Sequence, residues 1–497
     1  MFKINEEANY CLLCSSEPCT WECPQGFLPA KALRSVRFGN VKAAGLYVDK
    51  KVCANCAGNC EQSCVHYDRP IKIKQVIEQL PEPNLKKEDI EALPSLKIKF
   101  CGVECENPFF LASSIVSANY EMCANAFVRG WGGAVFKTVM LNPCNEVSPR
   151  FDACKDNGTN FYGFKNLEQL SEHGIKENLS IMRRLKKRFP TKVLIASIMG
   201  QTDEEWAELA KLVAEAGADI IECNYSCPQM AGEGLGSDIG QNPKLVEHYT
   251  RIVKDASGLP VIPKMTPNIQ DITVPALAGV KGGADGIAAI NTIKCLTGIN
   301  PDTFVSYPDI GGKCAVSGYS GKAVKPIALK FIYDLASHPG LKNIELSGIG
   351  GIETWKDALE FILLGCRNVQ VATAVMQYGY RIIEDMTLGL QLYLKEKNYN
   401  SLEELVGKAL PNIVPADDLD RDTIVYPKIH RDLCLKCGRC VTSCVDAGHQ
   451  ALLLDENQLT FNAKKCVGCH LCAIVCPVEA ITPDGKRIPK PDNLRVQ

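Results

Sequence analysis

Between about Leu96 and Leu394 the chain alternates short apolar runs with longer stretches in which apolar residues recur every three or four positions. The short runs read as strands at Phe109–Ser113, Gly133–Val139, Val193–Met199, Ile220–Asn224, Val261–Met265, Gly286–Asn291, Ile344–Ser347 and Val369–Thr373. One intervening stretch, Asp203–Ala216, sets Trp206, Leu209, Ala210 and Val213 on a single helical face. Strands that alternate with amphipathic helices form a parallel sheet. Eight such units in roughly 300 residues predict an α/β fold of the TIM type, a (β/α)8 barrel with insertions. A doubly wound open sheet is the alternative. Polar residues at the C-terminal ends of most of these strands favour the barrel, because barrel sites form on that face.

The pattern breaks on both sides. Residues 1–80 are a cysteine-rich head, and the proline-marked stretch 81–95 reads as a linker. The barrel takes 96–396. A connection over 397–427, with Pro411, Pro415 and Pro427, leads to a C-terminal module over 428–497. A chain of 497 residues suits one large domain and two small ones. The formal net charge of -2 gives no global pull toward nucleic acid or an acidic membrane. No apolar run is long enough to span a bilayer, and Met1–Tyr10 lacks the basic and apolar parts of a secretory signal. The expectation is a cytoplasmic protein with neither a nucleic-acid nor a membrane partner.

Composition changes the picture at one point: there are 26 cysteines. In a long chain without a secretory signal, clustered cysteines point to metal rather than to disulfides. Eight of them lie before residue 65 and eight between Cys434 and Cys476. The tail reads Cys434-x2-Cys437-x2-Cys440-x3-Cys444, then Cys466-x2-Cys469-x2-Cys472-x3-Cys476-Pro477. This is the two-cluster ferredoxin pattern, in which the fourth cysteine of each run ligates the other cluster. It assigns Cys434, Cys437, Cys440 and Cys476 to one [4Fe–4S] cluster, and Cys466, Cys469, Cys472 and Cys444 to the second. Val445 stands where the first run would carry its proline. The head reads Cys11-x2-Cys14-x4-Cys19-x3-Cys23, then Cys53-x2-Cys56-x3-Cys60-x3-Cys64, enough thiols for two more clusters. Structural zinc, which also uses Cys-x2-Cys pairs, is the alternative for both modules, and for the head so is one cluster with spare cysteines.

Within the barrel, Phe136-Lys137-Thr138 ends the second strand and Pro263-Lys264-Met265-Thr266-Pro267-Asn268 ends the fifth. A lysine beside the N1–C2=O edge of a flavin stabilises the negative charge of the reduced ring. Ser347-Gly-Ile-Gly-Gly351 follows the seventh strand and Val371-Ala372-Thr373 closes the eighth, where barrels bind phosphate through backbone N–H groups. Ser317-Gly-Tyr-Ser-Gly321 is a further glycine-bearing loop able to add such donors, unless its glycines simply make turns. After the fourth strand comes Glu222-Cys-Asn-Tyr-Ser-Cys-Pro-Gln229, and then Gly232-Glu-Gly-Leu-Gly236 with Ser237, a run flexible enough to close as a lid. The thiol of Cys227, with a reference pKa of about 8.5, is protonated at neutral pH and can serve as a general acid. Asn166, Asn224 and Asn291, with Thr292, offer both donors and acceptors to a flat ring of alternating C=O and N–H groups.

Phe136-Lys-Thr138, Asn224-Tyr-Ser-Cys-Pro228, Lys264-Met-Thr-Pro-Asn268, Asn291-Thr292 and Gly350-Gly-Ile352 together resemble the dihydroorotate dehydrogenase-like barrel of the dihydropyrimidine dehydrogenase family. Gly311–Pro326 and Ile413–Arg421 resemble its bacterial FMN- and ferredoxin-bearing subunits. The head resembles the family's N-terminal helical iron–sulfur domain and the small subunit of glutamate synthase. The resemblance implies Cys227 as general acid toward C5 of uracil or thymine. It implies Asn166, Asn224, Ser226, Asn291 and Thr292 as ring-holding residues. FMN would be bound by Ser113, Lys137, Thr138, Lys264, Gly321, Gly350, Gly351, Ala372 and Thr373. In the head, Cys11, Cys14, Cys19 and Cys64 would hold one cluster and Cys23, Cys53, Cys56 and Cys60 the other, although the mammalian pattern uses a glutamine as one ligand. No Gly-x-Gly-x-x-Gly follows a strand, so the chain lacks a dinucleotide fingerprint. Electrons would come from an FAD- and NAD(P)H-binding partner subunit or a ferredoxin, and a homodimer or hetero-oligomer is expected. Two alternatives stand beside this. One is a dihydroorotate dehydrogenase, although such barrels more often carry Asn where this chain has Gln229. The other is an iron–sulfur flavoprotein that only transfers electrons.

Overall fold

The computed structural model describes residues 3–82, 90, 92–142, 145–155, 161–228, 236–456, 458–491 and 494. The chain divides into two compact units, Lys3–Pro411 and a second built on Asn412–Gln497.

In the first unit eight strands close into a barrel: β1 (Phe109–Leu111), β2 (Gly133–Val139), β3 (Val193–Ile198), β4 (Ile220–Asn224), β5 (Val261–Lys264), β6 (Gly286–Ala289), β7 (Glu345–Ile349) and β8 (Cys366–Val371). They run around the ring in chain order, each parallel to its neighbours. Strands such as β3 are buried throughout, as expected when helices cover the outside of a parallel sheet. The helix Asp203–Glu215 starts where the Thr202 side chain accepts from the Glu205 N–H, with Asp203, Glu204 and Glu205 facing the positive end of its dipole. It turns Trp206, Leu209, Ala210 and Val213 into the core, as the apolar spacing required.

The fourth strand keeps the bounds read for it, Ile220–Asn224, so Glu222, Cys223 and Asn224 are strand residues and the segment that follows β4 begins at Tyr225. Other boundaries differ from the sequence reading. Ser347, Gly348 and Ile349 belong to β7, so the turn consists only of Gly350 and Gly351. Ser317–Ser320 is a strand, not a loop. It lies inside a four-stranded antiparallel sheet ordered 293–295, 317–320, 161–166, 151–155. As an inner strand it pairs with neighbours on both sides, so its backbone is not a free phosphate cradle. This sheet is assembled from insertions after β2 and β6, and it lies on the side of the barrel where those strands end. At the opposite end a hairpin, Ile98–Phe100 with Val103–Cys105, sits against the first residues of β6 and β7. A Cβ on Gly286 would meet Cys101 Sγ at 2.7 Å, and the Cys101 N–H donates to Glu345.

The head is helical: Ile4–Tyr10, Pro18–Trp21, Pro29–Arg37, Val41–Ala44, Lys50–Ala54, Asn59–Gln62 and Ile73–Glu78. It is built into the first unit rather than tethered to it. Arg34 is buried and donates to Asp385 (2.6 Å) and Glu384 (2.7 Å) of the helix Ile382–Lys397, and Ser35 donates to Asp385 at 2.5 Å. Trp355 Nε1 donates to Gly39 O at 3.4 Å. Within the stretch read as a linker, Leu93 packs with Ala43 and Leu392.

The second unit contains the helices Arg439–Asp446 and Leu471–Ile474 and three small antiparallel pairs. Thr423–Val425 pairs with Arg487–Pro489, so the module begins within the stretch read as a connection. Among the described residues no helix is long and apolar enough to cross a membrane.

Candidate active site

A cleft opens at the C-terminal ends of the barrel strands, the face on which such barrels bind their ligands. Ser113, Lys137, Thr138, Asn166, Asn224, Cys227, Lys264, Asn291, Thr292, Gly321, Gly350, Gly351, Ala372 and Thr373 all line it. Ser226 does not. It is fully buried behind the wall, where it accepts from Asn291 Nδ2 at 2.8 Å and donates to Asn224 Oδ1 at 3.2 Å. It thereby joins two asparagines of the cleft. Gln229 and the run 232–235 lie outside the described residues.

The lining falls into three parts. On one side Cys227, 5% exposed, sits with Asn224, Asn291, Thr292 and Asn166. Asn224 Nδ2 donates to Thr138 Oγ1 at 3.0 Å, and that hydroxyl also contacts Ser197 Oγ (2.9 Å) and Ser113 Oγ (3.2 Å). This chain of short polar side chains across β1 to β4 fixes which way the Asn224 amide faces.

Another side is a backbone cradle. Gly321, Gly350 and Gly351 have φ of 90°, 131° and 70°, values that favour glycine. A Cβ on Gly350 would meet Ala328 Cβ at 2.8 Å, and one on Gly351 would meet Lys325 Cβ at 2.7 Å. Thr373 opens a short helix, and its hydroxyl contacts Ser320 Oγ at 2.9 Å. This is a concave wall of N–H groups without side chains, which suits a phosphate.

The third part is the floor, where the barrel interior is polar. Lys264 Nζ lies 3.4 Å from Glu222 Oε1, and Gln370 Nε2 donates to Glu222 Oε2 at 3.1 Å and to Ser347 Oγ at 2.9 Å. Gln370 Oε1 is buried without a hydrogen-bond partner among the described residues. Lys137 is held by Glu168 at 2.6 Å. Sequence reasoning assigned no role to Glu222, Gln370 or Glu168. For Glu222 and Gln370 the signal was that a barrel interior is normally filled by branched apolar residues, which these are not; Glu168 lies after the inserted strand Phe161–Asn166. Glu353 also lines the cleft, and burial, opposed by Lys322, pushes its carboxyl up to about 7. Burial pushes the Cys223 thiol, which is not on the cleft lining, up to about 12.

A flavin phosphate fits the glycine cradle, and its ring fits the lysine floor, where an orphan carbonyl awaits a donor. Four smaller cavities are each lined by four thiols. In the first unit one takes Cys11, Cys14, Cys19 and Cys64, and another Cys23, Cys53, Cys56 and Cys60. In the second unit one takes Cys434, Cys437, Cys440 and Cys476, and the other Cys444, Cys466, Cys469 and Cys472. Backbone N–H groups of Ala451 and Ala480 donate to Cys444 and Cys476 at 3.3 and 3.2 Å, the same contact in each half of the repeat. Burial pushes the thiol of Cys19 up to about 12 and those of Cys53, Cys60 and Cys472 to about 11, with neighbouring thiols adding to each. Four such groups become thiolates together only around a cationic core. Among the described residues no group of three or more His, Cys, Asp or Glu side chains is arranged to hold a single metal ion.

The dihydroorotate dehydrogenase family matches residues 95–394, and a 4Fe-4S dicluster domain matches residues 427–482. The NAD-dependent dihydropyrimidine dehydrogenase subunit PreA of Escherichia coli (strain K12) is 58% identical over 388 residues, covering 78% of this chain and 94% of that protein. The chloroplastic dihydropyrimidine dehydrogenase (NADP(+)) of Arabidopsis thaliana is 38% identical over 341 residues, 66% of this chain and 80% of that one. The catalytic subunit of dihydroorotate dehydrogenase B (NAD(+)) of Pyrococcus abyssi is 39% identical over 316 residues, 63% of this chain and 99% of that one. With the barrel, its cleft and the paired cysteine runs in place, the chain belongs to the dihydroorotate dehydrogenase family, in its dihydropyrimidine dehydrogenase branch, and is an oxidoreductase.

Proposed function

We propose that this chain reduces the C5=C6 bond of uracil or thymine in the barrel cleft, using FMN and electrons relayed through iron–sulfur clusters. The observation that carries the reading is the placement of Cys227 and the Asn166, Asn224, Asn291 and Thr292 rim in the same cleft as the glycine cradle and Lys264. FMN, when bound, supplies a hydride and converts single electrons into a two-electron reduction.

The chain's residues do the rest. The cradle at Gly321, Gly350, Gly351, Ala372 and Thr373 anchors the phosphate. Lys264 supports negative charge on the reduced ring, while Ser113, Lys137 and Thr138 complete the cofactor wall. Asn224 and Asn291, fixed through Ser226 and Thr138, present amides to the alternating carbonyl and N–H groups of the base. Cys227 gives its proton to C5 as C6 receives hydride, and solvent then reprotonates the thiol. The four thiol cavities hold [4Fe–4S] clusters, two in each unit. The donor is an NAD(P)H-oxidising flavoprotein partner or a ferredoxin, a reading supported by the absence of a dinucleotide fingerprint and by the relative that is named as a subunit.

The test is an anaerobic assay of the purified chain with reduced viologen and uracil, thymine or orotate, with iron and FMN measured on the same sample. Turnover of uracil or thymine but not orotate is expected. Turnover of orotate alone would establish the dihydroorotate reaction instead. No turnover of any pyrimidine, with FMN and iron present, would leave an electron carrier.

A further inference from the structure

Two lysines line the cleft, and their partners hold them differently. Lys137 is locked to Glu168 at 2.6 Å, a short charge-assisted hydrogen bond. Lys264 stands 3.4 Å from Glu222, beyond that range. Glu222 is fully buried, and a carboxylate in such a place keeps its charge only through partners that replace water. It has two of them. Lys264 approaches Oε1, and Gln370, 1% exposed, donates to Oε2 at 3.1 Å from across the barrel. The same Gln370 NH2 group also donates to Ser347, so the amide cannot turn over, and its Oε1 is buried without a partner among the described residues.

We propose that Glu222 is a positioning residue that sets the reduction potential of the bound flavin by holding and partly neutralising Lys264. The inference rests on the flavin reading of the cleft. Reduction by two electrons adds negative charge to the ring, and Lys264 favours that state. Glu222 subtracts from the favour, because the buried pair is neutral as a whole. Inside the barrel, where the dielectric is low, loss of the carboxylate charge is felt strongly. Glu222 therefore keeps the flavin a stronger reductant than Lys264 alone would allow, and the loose 3.4 Å contact leaves the ammonium able to turn toward the ring.

The experiment is a spectroelectrochemical titration of FMN in the holoenzyme and in Glu222→Gln, Glu222→Asp, Lys264→Gln and the Glu222→Gln/Lys264→Gln double variant, with flavin content measured in each. Glu222→Gln should favour reduced over oxidised flavin about tenfold or more, a rise of about 30 mV for a two-electron couple. Glu222→Asp, which keeps the charge, should stay within about threefold of the unaltered chain. Lys264→Gln should shift the midpoint the other way. Glu222→Gln with full flavin and a midpoint within threefold of the unaltered chain, or lower, overturns the proposal. Should Glu222→Gln fail to retain flavin, Lys264→Gln and the double variant decide. From pH 6 to 9 the double variant should have the higher midpoint, and equal midpoints across that range overturn the proposal. An unaltered chain that binds no flavin refutes the flavin reading itself, whereas bound flavin indifferent to position 222 refutes this inference alone.

Discussion

At the scale of single residues, the cleft separates side chains that meet a ligand from those that aim them. Under the proposed reduction Cys227 is the general acid, so Cys227→Ala should retain FMN absorbance and lose roughly 10²–10⁴-fold in uracil turnover, the usual contribution of a placed general acid. Under the same proposal Ser226, which bonds Asn224 and Asn291 from behind the wall, holds them in place, so Ser226→Ala should raise KM more than it lowers kcat, as measured by steady-state kinetics. Glu353 gives a test of linkage. Burial raises its pKa in the folded chain from the ordinary glutamate value to about 7, so the protonated carboxyl is favoured by folding. That contribution is complete below the unfolded pKa and is lost as the pH rises through about 7. The Tm of the unaltered chain should therefore fall relative to that of Glu353→Gln between pH 4.5 and about 7, and a constant difference across that range would refute the assignment. The residues legible in the sequence were those next to strand ends, where motif and function share a few positions. Glu222 and Gln370 were not legible. Their meeting depends on β4 and β8 facing each other across a closed ring, and nothing within 148 positions of sequence announces it.

At the scale of elements, all eight barrel strands were visible in the apolar runs because each is buried on both faces. The inserted sheet was not visible. Ser317-Gly-Tyr-Ser reads as a turn by composition, and it is a strand only because Phe164–Asn166 and Ile293–Cys295 flank it. Two elements carry predictions. Gly351→Ala combines a positive φ with a Cβ 2.7 Å from Lys325 Cβ, so it should cost about 1–3 kcal/mol and release FMN on gel filtration while the barrel stays folded. Asp385→Ala leaves the Arg34 guanidinium buried with only the half-buried Glu384, so it should destabilise the first unit by about 3–5 kcal/mol in urea melts. Ser35→Ala removes one bond to the same carboxylate and should cost nearer 1 kcal/mol.

For the whole molecule, the cysteine runs announced two modules at the ends of the chain, and composition separated them from the barrel. Composition could not show that the head shares a compact unit with the barrel, because Arg34 and Asp385 are 351 positions apart. The real division follows Pro411. Residues 412–497 expressed alone should fold and incorporate iron, giving the broad visible absorbance of iron–sulfur protein, whereas a fragment ending near residue 80 should not persist without the helix that pairs with Arg34.

One stretch of ten residues, Ala372–Arg381, serves two chambers. Ala372, Thr373, Ala374 and Met376 form part of the cleft wall, while Arg381 lines the cavity of Cys11, Cys14, Cys19 and Cys64 and donates to the carbonyls of Leu13 and Cys14. Five residues pulled taut reach about 18 Å at most, and the helical turn through Tyr378 shortens that span. The tether keeps Arg381 close to the cleft, and its bonds to Leu13 and Cys14 seat the thiol cavity beside it. A substitution that breaks those bonds would unseat the thiol cavity while leaving the cleft wall at 372–376 in place.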